Sequence, residues 1–246
     1  NKKDLAGIIL EPVIGEGGFI PATLEYLKML RSETERLGAL LIFDEVISGF
    51  RVALGGAQKR FGVIPDLTTL GKIMGGGFPV GALVGKRKIL EKTSPEIKSQ
   101  KWERIMIGGG TFSSHPFTAA AGMAMLRYLK DHAEEVYPLL EAKGEKVRKG
   151  VLAALRSEGV DAVVTGIASL FQTHFPFQKG AELYSPHAIS QLTDVGKREV
   201  EFRIRMLTKG VHVMHGGGGL SITHSDGDIE KIIEAAREVG REMVEG

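Results

Sequence analysis

The chain has 246 residues and a mass of 26.6 kDa, enough for one large domain or two small ones and too much for a hormone or a stapled mini-protein. Its 32 Lys plus Arg nearly balance 30 Asp plus Glu, and no apolar run reaches the ~18 residues of a membrane span, so neither nucleic acid nor a membrane is an expected partner. Cysteine is absent, which removes disulfide frameworks, thiolate metal sites and cysteine nucleophiles and suits a cytoplasmic location.

In chain order, the apolar residues 6–10 predict a buried strand ending at Glu11 and Pro12. Leu24, Leu27, Leu30 and Leu37 then recur at helical spacing with Gly38 as the stop, and residues 39–43 predict a second strand. A strand, a helix and a strand in that order form a βαβ unit, which favours an α/β fold with a mostly parallel sheet. Residues 66–70 and 80–84 read as further short strands, and residues 117–129 as a helix. The pattern changes near residue 131. Val136, Leu140, Val147, Val151 and Leu155 mark a long amphipathic helix, followed by strands at 162–165 and 169–175. A charged helix at 196–209 and short strands at 211–214 and 220–223 come next, and Ser225 with Asp228 reads as a capping box before a last helix. Two domains are therefore expected, 1–130 and a smaller α+β domain at 131–246.

Glycine, 33 of 246 residues or about 13%, is near twice its ~7% average. It clusters beside apolar runs, at Gly15, Gly17 and Gly18, at Gly71 and 75–77, at 108–110 and at 216–219, as expected of a site assembled from loops.

The most informative stretch is Leu40-Leu41-Ile42-Phe43-Asp44-Glu45-Val46, an apolar strand delivering two carboxylates to its C-terminal end, where open α/β sheets bind ligands. In a nucleotidase such a carboxylate holds magnesium beside a Gly-Lys-Ser/Thr phosphate loop, but here Gly71-Lys72 is followed by Ile73 and Gly85-Lys86 by Arg87. In a pyridoxal phosphate enzyme it pairs with the pyridine nitrogen, and a lysine must lie nearby. Lys72 fits that need: it follows a strand and precedes Met74-Gly75-Gly76-Gly77. His212 and His215, with His224 nearby, raise a metal alternative. Residues 211–213 read as a strand, where positions three apart face opposite ways, so no metal site is expected. His115 reads as a loop histidine.

Four runs, 11–18 (Glu-Pro-Val-Ile-Gly-Glu-Gly-Gly), 41–46 with Gly49-Phe50-Arg51, 66–72 (Asp-Leu-Thr-Thr-Leu-Gly-Lys) and 110–113 (Gly-Thr-Phe-Ser), resemble class III pyridoxal-phosphate-dependent aminotransferases, nearest to their glutamate-1-semialdehyde 2,1-aminomutase branch. The resemblance implies a fold type I large domain plus a small C-terminal domain, acting on a small-molecule amino donor and acceptor as a homodimer with sites at the subunit interface. It gives Lys72 as the Schiff-base lysine, Asp44 as the pyridine-nitrogen partner, Val46 as the aliphatic group on the ring face and Thr111 as a hydroxyl reaching the neighbouring subunit's cofactor phosphate. Glu11 and Glu16 belong to the pattern without a chemical step. Members of the family carry a preceding segment with a phosphate loop and a stacking aromatic residue, so the chain is expected to be a C-terminal part. His215-Gly216-Gly217-Gly218 stands where the aminomutase branch has Phe-Glu-Ala-Gly, and residues 94–104 with Trp102 look longer than in that branch. Both favour a related aminotransferase over the aminomutase. The rivals are a non-catalytic remnant of the fold, and a magnesium nucleotidase on Asp44 and Glu45 with its phosphate loop upstream.

Overall fold

The computed structural model describes residues 4–94, 96 and 110–245. Gly108, Gly109, Trp102 and most of the 94–104 stretch lie outside the described residues. Packing divides the chain into two units, one of residues up to 12 with 22–132, the other of 13–21 with those from 133 onward. The loop 13–21, early in sequence, thus packs with the later unit.

The first unit is built on a four-stranded sheet of β1 (Gly7–Leu10), β2 (Leu40–Asp44), β3 (Leu67–Gly71) and β4 (Gly81–Gly85), in that spatial order. The first three strands are parallel, in the register Ile9 to Ile42 and Asp44 to Thr69, whereas β4 runs antiparallel to β3 with Gly71 opposite Gly81. The sheet is therefore mixed, because the link from β3 to β4 is too short for a crossover. Helix α1 (Leu24–Leu37) makes the β1–β2 crossover. Thr23 caps its start by accepting from the Tyr26 amide at 3.2 Å, and Gly38 closes it in the left-handed region. Its Leu27 and Leu30 bury against Leu41, Phe43 and Val63. Short helices α2 (Gly56–Phe61) and α3 (Arg87–Leu90) and the longer α4 (Pro116–Asp131) complete the unit.

At the opposite sheet edge from the strand C-termini, Asp66 accepts from the Leu41 amide and is paired with Arg31 and Lys86. Burial alone would raise its carboxyl, but Lys86, the Leu41 amide and Arg31 outweigh that and hold it below the usual range.

The second unit packs α5 (Ala133–Ser157) and α8 (Asp226–Glu245) with an antiparallel sheet of β5 (Val163–Thr165), β6 (Leu170–His174) and β7 (Gly217–Gly219). Val147, Val151, Leu155, Phe171, Phe175, Phe202, Met206, Ile229 and Val239 lie in its core. Helix α6 (Pro186–Leu192) starts on a Ser185 cap. The 196–209 helix begins as a π-helical turn, Lys197–Phe202, before α7 (Arg203–Thr208). The capping box is present: the Ser225 hydroxyl accepts from the Asp228 amide at 3.2 Å, and the Asp228 carboxylate from the Ser225 amide at 2.7 Å. The strands expected at 211–214 and 220–223 do not form. The glycines between them pair with β6 instead, because a side chain at Gly217 would collide with the Phe171 carbonyl, so only glycine approaches β6 that closely.

All five residues of β6 are buried, Gln172, Thr173 and His174 among them. The Thr165 hydroxyl donates to the Gly18 carbonyl, so His174 Nε2–H donates to Thr165 Oγ1 at 2.8 Å and Nδ1 accepts from Arg198 at 3.2 Å. Burial, and then the Arg198 charge, push the His174 imidazole down to about 3, so it is neutral at ordinary pH.

Candidate functional site

Asp44 ends β2 and Lys72 directly follows β3, its parallel neighbour, so both are delivered to one edge of the sheet. The Asp44 carboxylate is held through one oxygen: Oδ1 accepts from the Thr69 hydroxyl at 2.9 Å and from the Val46 amide at 3.1 Å. Oδ2 has no hydrogen-bond partner among the described residues. A half-buried carboxylate fixed on one side and open on the other is a ready acceptor for a further N–H or cation.

Lys72 opens a single 3-10 turn, Lys72–Gly75, with φ of +48°, a conformation that non-glycine residues rarely hold and that clusters at functional sites. Two close approaches fix this turn. Gly76 closes it by donating to the Ile73 carbonyl at 3.0 Å, and α4 lies against it at Gly122, where a Cβ would stand 2.6 Å from the Met74 carbonyl. The Lys72 side chain is exposed, and its ammonium has no hydrogen-bond or ion-pair partner among the described residues. Val46 packs against the end of β3: its methyl would lie 3.4 Å from a Cβ at Gly71.

Thr111 is exposed in the loop before α4 and lines a cleft of ≈ 830 Å³ with Met74, Val80, Gly81, His115 and Met123. Lys72 does not line this cleft, although its neighbour Met74 does. The structure thus brings Asp44, Val46 and Lys72 to one edge and sets Thr111 in a cleft that Lys72 does not line. His115 lies between the rings of Phe112 and Phe117 at 6.1 and 5.7 Å.

The histidines considered for a metal have separate surroundings. His215 Nδ1 lies 3.0 Å from Glu199, His224 accepts from the Ser221 amide, and His212 is exposed. Sequence reading passed over Thr69, which carries the Asp44 carboxylate. Its signal was a strand period of 2 that sets Thr69 and Gly71 on one face, next to a parallel partner ending in Asp.

Polar groups gathered at the carboxyl ends of parallel strands, around a strained lysine turn, define a ligand-binding α/β domain. The sequence model of the aminotransferase class-III family matches residues 1–198, and the chain belongs to that family. Glutamate-1-semialdehyde 2,1-aminomutases are similar to it: that of Methanosarcina acetivorans is 43% identical over 96% of this chain and 53% of its own length, that of Ignicoccus hospitalis 42% over 97% and 53%. An omega-transaminase from Sphaerobacter thermophilus superposes with a TM-score of 0.84 at 31% identity, covering 100% of this chain and 53% of that one. A β-phenylalanine aminotransferase from Variovorax paradoxus gives 0.82 at 31%, covering 96% and 52%. The chain therefore spans about half the length of the curated relatives it matches.

Proposed function

We propose that this chain is the cofactor-lysine and C-terminal part of a pyridoxal phosphate aminotransferase, with residues 1–130 in the cofactor-binding large domain and 131–246 as the small domain. The single observation that carries the reading is the pairing, at one sheet edge, of a carboxylate anchored through one oxygen with an unpartnered lysine in a strained turn. These residues fit the cofactor: Asp44 Oδ2 is free to accept from a protonated pyridine nitrogen, Val46 offers an aliphatic surface to a ring, and the Lys72 amine is open to a carbonyl.

When bound, pyridoxal phosphate supplies an electron sink that stabilises a carbanion at the substrate carbon. Asp44 would hold a proton on the ring nitrogen, with Thr69 and the Val46 amide keeping its carboxylate in place. The Lys72 amine would tether the cofactor and, once displaced by the incoming amino group, carry a proton between carbon centres. Thr111 would donate to a phosphate oxygen of a neighbouring subunit. Phe112 and Phe117, 74% and 71% exposed beside it, support a homodimer with sites at the interface. A small-molecule amino donor and acceptor, and a cytoplasmic location, complete the proposal; among the described residues no helix is long and apolar enough to cross a membrane.

A second reading, the aminomutase that isomerises by moving the amino group within one substrate, is favoured by the names of the 43% and 42% identical relatives. Borohydride reduction of the chain with bound cofactor, followed by peptide mapping, tests the assignment common to both. Label on Lys72 is the expected result, and label confined to another lysine overturns it. Comparing turnover with an amino donor and separate acceptor against turnover of a single amino aldehyde separates the two readings.

A further inference from the structure

Between the two residues that face the proposed cofactor lies a carboxylate with no assigned part in the chemistry. Glu45, directly after β2, is 1% exposed, and its side chain turns to Ser48, Ala57 and Gln58, whereas that of Asp44 meets Thr69. Its carboxylate is fully engaged. Oε2 accepts from the Ser48 hydroxyl at 2.9 Å and the Ala57 amide at 2.5 Å, and Oε1 from the Gln58 amide at 3.3 Å and the Gln58 side chain at 3.2 Å. The Gln58 side chain also donates to Thr68 on β3 at 3.3 Å. The Glu45 backbone is equally committed: its amide donates to the Thr69 carbonyl at 3.0 Å and its carbonyl accepts from Gly49 at 2.9 Å.

We infer that Glu45 is a positioning residue, which locks the ends of β2 and β3 to the first turn of α2 and thereby holds Asp44 and Val46 in place; this rests on the function proposed above. A buried carboxylate is costly to enclose unless its oxygens are satisfied, and here four donors from three residues converge on it. An apolar side chain would fill the same space and leave those donors unpaired. Glu45 also sets the plane of the peptide that follows it, whose carbonyl is held by the Gly49 amide. That peptide's nitrogen, Val46 N, is one of the two donors fixing Asp44 Oδ1. Any loosening of the Glu45 anchor is therefore transmitted over one residue to the carboxylate oxygen that must be aimed.

The test uses Glu45→Gln, which preserves volume but turns an NH2 toward the donors of Ala57 or Gln58. In the chain without cofactor, the Val46 amide is expected to exchange with solvent about tenfold faster than in the parent. In the cofactor-loaded full-length enzyme the turnover rate is expected to fall roughly ten- to a hundredfold, the range for groups that orient a ligand from behind. In an Asp44→Asn background the same change is expected to reduce the rate less than about twofold, because the group it acts through is already altered. Equal losses in both backgrounds, or an unchanged Val46 amide, overturn the inference. Should Glu45→Gln fail to fold, Ser48→Ala removes one donor of the four and carries the same measurements with a several-fold effect expected. If Asp44→Asn alone turns over at the parental rate, it is the proposed function that fails, while the amide measurement still decides whether Glu45 anchors Asp44.

Discussion

The His174 network of the second unit and the Asp44–Lys72 edge of the first treat their polar groups in opposite ways. In the second, β6 draws His174 out of solvent, and Thr165 and Arg198 meet the imidazole from both sides. In the first, Asp44 and Lys72 stand at the ends of adjacent parallel strands with an oxygen and an amine left over among the described residues. The cores differ too: the second unit closes Phe171, Phe175, Phe202 and Met206 among helices and sheet, while the first leaves Ile9, Phe112 and Phe117 largely exposed around its sheet and loops. Enclosed polar groups with partners specify one fold, whereas polar groups with unused bonding capacity at a strand end are available to a ligand. Activity should accordingly be lost by changes in the first unit that barely touch stability, and stability by changes in the second.

The largest effect is expected at Lys72. Lys72→Gly should abolish turnover in the full-length enzyme yet leave the unfolding free energy of the chain unchanged or raised by up to about 1 kcal/mol, since glycine holds the +48° φ without strain. A clear loss of stability, read by urea titration, would count against a strained functional turn. Phe202→Ala in the second unit should do the reverse. The side chain is 1% exposed against Phe175, and its removal is expected to cost about 3–5 kcal/mol, measured by the same titration. Asp44→Asn should lower the rate by ~10² or more through loss of the charge facing the ring nitrogen, with a stability change below about 1 kcal/mol.

The His174 network yields a pH signature. Its imidazole is near 3 in the fold and about 6.5 when unfolded, so the unfolded chain takes up the extra proton between those values. Stability is then complete above about pH 6.5 and falls as the pH drops below it, by up to about 1.4 kcal/mol per unit. The carboxylates held low, such as Asp66, add their own losses only below about pH 4. Denaturant midpoints at pH 7 and 5 check this, and His174→Gln should flatten the difference. The smallest effect is expected at Ser225→Ala, which removes one side of the capping box of α8 and should cost about 1 kcal/mol without altering the pH profile.

Much of the first unit was legible in the sequence because its signals are local. Leu24, Leu27, Leu30 and Gly38 define α1, and the run before Asp44 can only be a buried strand, so the carboxylate, the lysine turn and their shared edge follow from chain order. The class III resemblance and its pyridoxal phosphate expectation rested on the same motifs, and the family match agrees with them. What was hidden depends on contacts distant in sequence. Thr69 acquires its role only through the register of β2 and β3, and Glu45 only through a helix that starts 11 residues later. In the second unit, Val211 and Val213 carry the alternation of a strand and are indeed buried, yet they join no strand, and the Val211 amide donates to Met206 instead. The strand is the glycine run beside them, whose qualification is the absence of side chains rather than any pattern they make.

The turn that carries Lys72 is tied at both flanks, with Gly71 paired to Gly81 before and after it and α4 against its middle. Openness to small molecules and openness to macromolecules therefore part company at this residue. An aldehyde needs only the amine tip, which is exposed, whereas a protease must draw several residues on each side of the scissile bond into an extended strand. Trypsin should thus leave the bond after Lys72 intact in the folded chain while it cuts at other exposed basic positions, and a residue open to modification would be among the last to be cleaved.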